Sequence, residues 1–334
     1  MEEIYNVNED GSKTIGILKV AKANNVVESV SELPDLSPLY DQLWYEEEVS
    51  CLYASTNLGK SILAVQIANE IAKTRTVLYV DCELSDRQFS HRYSSDHNRF
   101  IFEERLHRAT IDIAGAAEMD EEQLISSIHM AAAEIGAKVL VIDNLSWLSM
   151  SSEKAADATK LMRKLIGLRN MYKYSILIIA HTPKVSKGEF LTDNQLAGSK
   201  SLMNFMDSAF CIGINAKEKN GRYIKQTKVR ASEYKYDENS VLVCRIIKDP
   251  MGALRFESVG TAPERDMKSS YENELKQLEK FERARELYQQ GQTIREIETT
   301  LEVRHGTFKK SDLESPQVPD PGLGDAGLEP NVEE

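Results

Sequence analysis

The chain has 334 residues, 41% hydrophobic and 28% charged, with a net charge of −12, enough apolar material for one large core and an appendage. No apolar run approaches the ~20 residues of a membrane span and the N-terminal MEEIYNVNED is polar, which argues against a membrane anchor or signal peptide and for a cytoplasmic protein. Residues 1–50 carry 11 acids and 3 bases and residues 311–334 carry 7 acids and no base, which leaves residues 51–310 at +3 and able to form a local basic surface.

Residues 1–35 read as an acidic lead-in. The stretch CLYASTNLGKSILAVQIANEIA, Cys51 to Ala72, then passes from a β-branched and aromatic strand through a small polar loop. It continues as a helix whose apolar residues Ile62, Val65, Ile67, Ala68 and Ile71 recur at roughly helical spacing. The loop runs Ala54, Ser55, Thr56, Asn57, Leu58, Gly59, Lys60, Ser61 and Ile62, a phosphate-binding loop with alanine in place of its first glycine. Backbone N–H groups and the helix dipole suit phosphate there, Lys60 suits the β and γ oxygens of ATP, and the Ser61 hydroxyl suits Mg²⁺. Ala54 is tolerable at negative φ, and Asn57 is one of the few residues that enters the left-handed region readily.

Downstream, TVLYVDCE, DEEQLISSIHMAAAEIG, KVLVIDNL, SEKAADATKLMRKLIGLRNMY and YSILIIAHT alternate short apolar runs with longer helical patterns. That order predicts an α/β fold, a parallel sheet covered by helices. Asp143 closes an apolar strand, where a carboxylate suits the outer coordination of Mg²⁺. Glu83 follows another strand and suits activation of the attacking water if the sheet order brings that strand beside the phosphate-loop strand. An acid favoured by a helix N-terminus is the alternative, and Asp81 competes for the role. His181 ends a third strand, as a γ-phosphate sensor or as a capping histidine. Cys51, Cys82, Cys211 and Cys244 lie far apart in apolar runs and read as reduced core residues.

From about Asp207 the pattern changes, and Asn220-Gly221 signals a hairpin, so antiparallel strands are expected to extend the sheet. Residues 259–283 read as a charged helical linker and residues 284–310 as a small all-α module. Residues 311–334, rich in Pro, Gly and acid, read as a disordered tail.

The order of these motifs, from the phosphate loop through Glu83, Asp143 and AHTPK to LAGSKSLMNFMDSAFCI and the KVR strand, resembles the RecA-like ATPases over about residues 36–258. The likeness is to the RepA-type hexameric replicative helicases and related AAA-named ATPases of mobile elements. It implies ATP and Mg²⁺ as cofactors, a metal site of Ser61 and Asp143, Glu83 as catalytic base and His181 as sensor. It also implies a basic finger of Lys228 and Arg230 that reaches the γ-phosphate of a neighbouring subunit; a solvated hairpin face is the alternative. A homo-oligomer, as a hexameric ring, and single-stranded DNA contacts by Lys184, Lys187 and Lys200 belong to the same resemblance; a mobile surface loop bearing lysines is the commoner reading of those three residues.

The segment ARELYQQGQTIREIETTLEVRHGTFKK resembles the helix-turn-helix of resolvase-like and regulator proteins, which would set Arg304, His305, Lys309 and Lys310 near duplex DNA. Glu298 stands where a small apolar residue is usual and Glu302 where the turn has Gly. The resulting expectation is an ATPase acting on DNA, most simply a helicase-like motor of DNA replication or mobile-element maintenance. The competing one is a nucleotide-gated DNA-binding regulator.

Overall fold

Runs such as VLYVD and VLVID, apolar at successive positions rather than alternate ones, suit strands covered on both faces, and both are interior strands of the sheet. The computed structural model describes residues 5–7, 12–31, 33–95, 98–112, 120–144, 155–182, 200–267 and 271–314. A first unit, Met1–Pro38, contains β1 (Tyr5–Val7), β2 (Lys13–Ile15) and β3 (Leu18–Val20), paired antiparallel, and then α1 (Ala23–Ser31). The second unit, Leu39–Glu334, carries the phosphate loop and everything after it.

A small ribbon of β4 (Pro38–Tyr40) and β5 (Trp44–Tyr45) precedes β6 (Val49–Ala54), α2 (Lys60–Ala72), β7 (Val77–Asp81) and α3 (Asp86–Arg92). Next come β8 (Leu106–Thr110), α4 (Glu121–Glu134), β9 (Val139–Asp143), α5 (Ala155–Tyr172), β10 (Ser175–His181) and α6 (Lys200–Phe205). The sheet is completed by β11 (Ser208–Ile214), β12 (Gly221–Lys228), β13 (Val241–Lys248) and β14 (Leu254–Ala262). Among the described residues the main sheet runs β14-β13-β12-β11-β6-β10-β9-β7-β8. The strands from β11 to β8 are parallel and β12, β13 and β14 continue antiparallel. This is the α/β fold that the sequence predicts, a parallel sheet extended by antiparallel strands.

Alternate residues of the central strands feed two apolar layers. Cys51, Tyr53, Leu140 and Ile178 face a cluster with Leu124 and Ile128 of α4 and Leu161 and Leu165 of α5. Leu52, Tyr79, Val141 and Ile179 pack in the other with Leu63, Ile67 and Ile71 of α2. Helices therefore cover both faces, and all four cysteines are free, three of them buried. The hairpin signal holds: Asn220 stands at φ 67 between β11 and β12.

Two expected boundaries differ. A core ending at residue 258 would cut β14, and the supposed linker 259–283 instead begins with the end of that strand and a 3₁₀ turn, Glu264–Met267. Glu264 is buried against Lys225 Nζ (2.6 Å) and the Tyr223 hydroxyl (2.7 Å), and Met267 joins Tyr223 and Val241 in an apolar cluster. Partners about forty residues upstream in sequence turn these charged residues into core. At the other end, α7 (Tyr271–Gln289), α8 (Ile294–Thr300) and α9 (Lys310–Glu314) share a core of Ala284, Leu287, Ile297, Val303, Phe308 and Leu313. Residues 311–314 of the expected tail are thus helical and bury Leu313; residues 315–334 lie outside the described residues.

Candidate active site

The carboxyl ends of the parallel strands meet along one edge, the usual binding edge of an open α/β sheet. Ala54 of β6 stands beside His181 of β10 in register, and Asp81 of β7 beside Asp143 of β9. The loop from Ser55 to Gly59 joins β6 to α2, with Asn57 at φ 65 and Gly59 at φ 95, while Ala54 is not among the residues at positive φ. Those angles show why asparagine can replace glycine at 57 and why the missing first glycine leaves the loop shape intact. A Cβ on Gly59 would come within 2.8 Å of Ile246 Cδ1 and 3.1 Å of the Phe256 ring, so β13 and β14 back the loop.

No side-chain cap closes the N-terminus of α2, whereas α3, α4 and α8 all begin with capping boxes. The first amides of α2 are therefore left for an anion. Lys60 folds back over the loop, its Nζ donating to the Ala54 carbonyl (2.9 Å) and the Ser55 carbonyl (3.0 Å). Burial lowers its pKa, with Asp143 and Glu83 opposing. Ser55 and Thr182 share a hydroxyl hydrogen bond of 3.0 Å, and Arg222 Nε donates to the Leu58 carbonyl (3.2 Å) from β12.

Asp143 is almost fully buried, and burial pushes its carboxyl up, opposed by hydrogen bonds from the Ser61 hydroxyl and from Tyr79 (2.6 Å). Ser61 in the first turn of α2 and Asp143 at the end of β9 lie at the same sheet edge, and a hydroxyl with a carboxylate is the hard-oxygen donor set that Mg²⁺ takes. They would hold Mg²⁺, which would supply charge neutralisation on the phosphate oxygens. Glu83 Oε1 meets His181 Nε2 at 3.2 Å and the Asn144 side-chain nitrogen more closely still. The hydrogen bond to His181, against the opposing effect of burial, holds the Glu83 carboxyl below its ordinary value, so it is ionised and able to accept a proton.

The strand order corrects one expectation. β7 does not lie beside β6, because β10 and β9 intervene; Glu83 reaches the loop region from beyond the strand ends, through His181. The competitor Asp81 is consumed structurally. Its Oδ1 accepts the Glu83 and Leu84 amides (3.1 and 2.9 Å) and its Oδ2 pairs with Arg108 (2.9 Å), which also binds Asp86 and the Leu84 carbonyl. Asp81 therefore shapes the turn that presents Glu83.

Lys228 and Arg230 are not brought to this edge. Lys228 Nζ donates to the Met203 carbonyl (2.6 Å), and Arg230 pairs with Asp207 (2.9 Å), whose other oxygen accepts the Val49 amide at the start of β6. Five residue steps of β6 at ~3.3 Å each, from Val49 to Ala54, put the Arg230 guanidinium about 16 Å from its own phosphate loop. Lys184 and Lys187 lie outside the described residues, as does the side chain of Lys200, whose backbone opens α6.

In the C-terminal segment Glu302 stands at φ 51, the backbone state for which glycine is usual. Glu298 is buried and accepts from His305 Nδ1 (2.8 Å) and from the Gly306 (2.9 Å) and Phe308 (3.3 Å) amides. Residues 304–309 are turn and loop, and the helix expected after Thr307 opens at Lys310, its described part running to Glu314.

Sequence reading missed Asn144, Tyr79, Thr182, Arg108 and Arg222. Asn144, directly after the strand-ending Asp143, carried a signal that was available; the others depend on long-range contacts.

An α/β sheet whose carboxyl edge joins a phosphate loop, a Ser–Asp oxygen pair and an ionised glutamate defines a P-loop ATPase domain. A family model described as AAA domain matches residues 19–187, just over half of the chain, and the chain belongs to that family. A KaiC-like protein from the hyperthermophilic archaeon Pyrococcus horikoshii OT3 is a structural neighbour at 17% identity and a TM-score of 0.47, the match covering 66% of this chain and 96% of that one. No curated protein matches. Among the described residues no helix is long and apolar enough to cross a membrane.

Proposed function

We propose that this protein hydrolyses ATP and acts on DNA as a helicase-like motor. The observation that carries hydrolysis is the cluster of Glu83, Asn144 and His181 at the same sheet edge as Lys60 and the Ser61–Asp143 pair. Lys60 leaves its loop carbonyls for the β and γ phosphates of the substrate, and Glu83 takes a proton from the attacking water. His181, in contact with Glu83 and one strand from the loop, senses the γ-phosphate.

Lys228 and Arg230 act on a neighbouring subunit, a reading supported by the Arg230–Asp207 pair that holds the arginine away from its own loop. That arrangement makes turnover depend on assembly of a ring, with single-stranded DNA at the core. The motor reading is favoured over a nucleotide-gated reader of duplex DNA by an ionised Glu83 at the same sheet edge as Lys60, a base that a purely gating nucleotide site does not need.

The test is ATP hydrolysis by the purified protein with and without single-stranded DNA. Lys60→Ala abolishes nucleotide binding, and Glu83→Gln keeps binding and loses hydrolysis. Turnover that rises with DNA supports the motor. Bound ATP without DNA-responsive turnover moves the function to the gated regulator, and normal turnover by the Gln variant refutes the base assignment.

A further inference from the structure

We propose that Asn144 is a positioning residue for hydrolysis, its amide joining Glu83 and His181 into one unit and aiming the base. This rests on the reading of Glu83 as the base. Asn144 is 3% exposed and directly follows Asp143, so the end of β9 fixes its backbone. Its Nδ2 contacts Glu83 Oε1 and lies 2.9 Å from His181 Nε2, while those two atoms are 3.2 Å apart. Three side chains from the ends of three neighbouring strands therefore meet at one point.

The orientation of the amide follows from chemistry. An ionised carboxylate only accepts, so the nitrogen of Asn144 and not its oxygen faces Glu83. Whichever ring nitrogen of His181 carries the proton, Asn144 supplies Glu83 with a donor. Both contacts fall on Oε1, and Oε2 makes none among the described residues, which leaves Oε2 as the oxygen free to take a proton from water. Glu83 sits on a half-exposed loop and has rotamer freedom to lose; a buried amide at its tip confines it. Two further atoms mark the spot as unfinished. Asn144 Oδ1 and His181 Nδ1 are buried without a hydrogen-bond partner among the described residues, the kind of cost tolerated where a ligand completes the network.

The experiment measures steady-state ATP hydrolysis, nucleotide binding and thermal melting on the full chain for Asn144→Ala, Asn144→Asp and Asn144→Gln. Asn144→Ala is expected to lower kcat about 10- to 100-fold, the effect of losing one hydrogen bond to a charged group, with nucleotide affinity held within about threefold. Asn144→Asp has nearly the same shape but cannot donate when ionised and repels Glu83, so its kcat falls below that of the Ala variant. Asn144→Gln keeps the donor on a longer arm and recovers part of kcat.

An unchanged kcat in the Ala variant, wild-type turnover in the Asp variant, or loss of kcat only in step with nucleotide affinity and melting temperature would each overturn the positioning role. Turnover abolished by Glu83→Gln but untouched by Asn144→Ala sinks this role alone. Turnover that survives Glu83→Gln sinks the base assignment, and the positioning role with it.

Discussion

Replacing Gly59 by alanine tests whether the shape of the phosphate loop is set by its packing against the antiparallel half of the sheet. At φ 95 an L-residue costs ~1–2 kcal/mol. The added Cβ also meets Ile246 Cδ1 at 2.8 Å and the Phe256 ring at 3.1 Å. Ile246 is partly buried and its terminal carbon can turn away, but Phe256 is buried at 4% exposure and cannot. Overpacking of this kind adds ~1–3 kcal/mol, for a total of about 2–5 kcal/mol. If the loop yields, Lys60 loses its alignment and nucleotide affinity falls ~30-fold or more at 1.4 kcal/mol per decade. If it holds, the same energy appears as lost folding stability. Equilibrium binding of a fluorescent ATP analogue and denaturant unfolding, measured on the same samples, capture both routes. The cycle with Phe256→Leu separates the two sources, because it removes the ring atoms at 3.1 Å that cannot yield and leaves the backbone strain. Wild-type affinity together with wild-type stability refutes the reasoning, and a penalty unchanged in the Phe256→Leu background refutes its steric half.

Two further outcomes follow from charges held away from the loop. Arg230→Ala subunits mixed in rising proportion with wild type are expected to depress turnover more steeply than their fraction, since each removes a finger from a neighbour's site; strictly proportional loss argues against action in trans. In the C-terminal segment burial opposes ionisation of Glu298, but the His305 hydrogen bond and the Phe308 and Gly306 amides prevail and hold its carboxyl below its ordinary value of 4.5. A depressed carboxylate contributes stability above its unfolded pKa and loses it as pH falls through the folded value. Hydrogen exchange at the Gly306 and Phe308 amides should therefore quicken, after correction for intrinsic rates, as pH drops below about 4.5. Glu298→Gln should exchange faster at neutral pH and lose that dependence; an unchanged pH profile in the variant would exclude Glu298 as the source.

The local features of this protein follow from its sequence alone. A β-branched run, a small polar loop with Gly59-Lys60-Ser61 and a helical pattern decide the strand, loop and helix of a phosphate site, because each depends on residues within a turn or two of chain. Alternation of apolar runs with helical patterns decides a parallel sheet covered by helices, and the strand-ending positions of Asp143 and His181 put both at its carboxyl edge. What joins them was settled by tertiary contact. Strand order separates β7 from β6 and so makes Glu83 depend on His181 and Asn144. Arg108, 27 residues from Asp81, takes that carboxylate out of competition. Asp207 holds Arg230 at the opposite edge, and three donors supplied by a turn make a buried Glu298 tolerable. Polar side chains acquire their role from the partner that satisfies them, and those partners lie far away in the sequence and adjacent only in the fold.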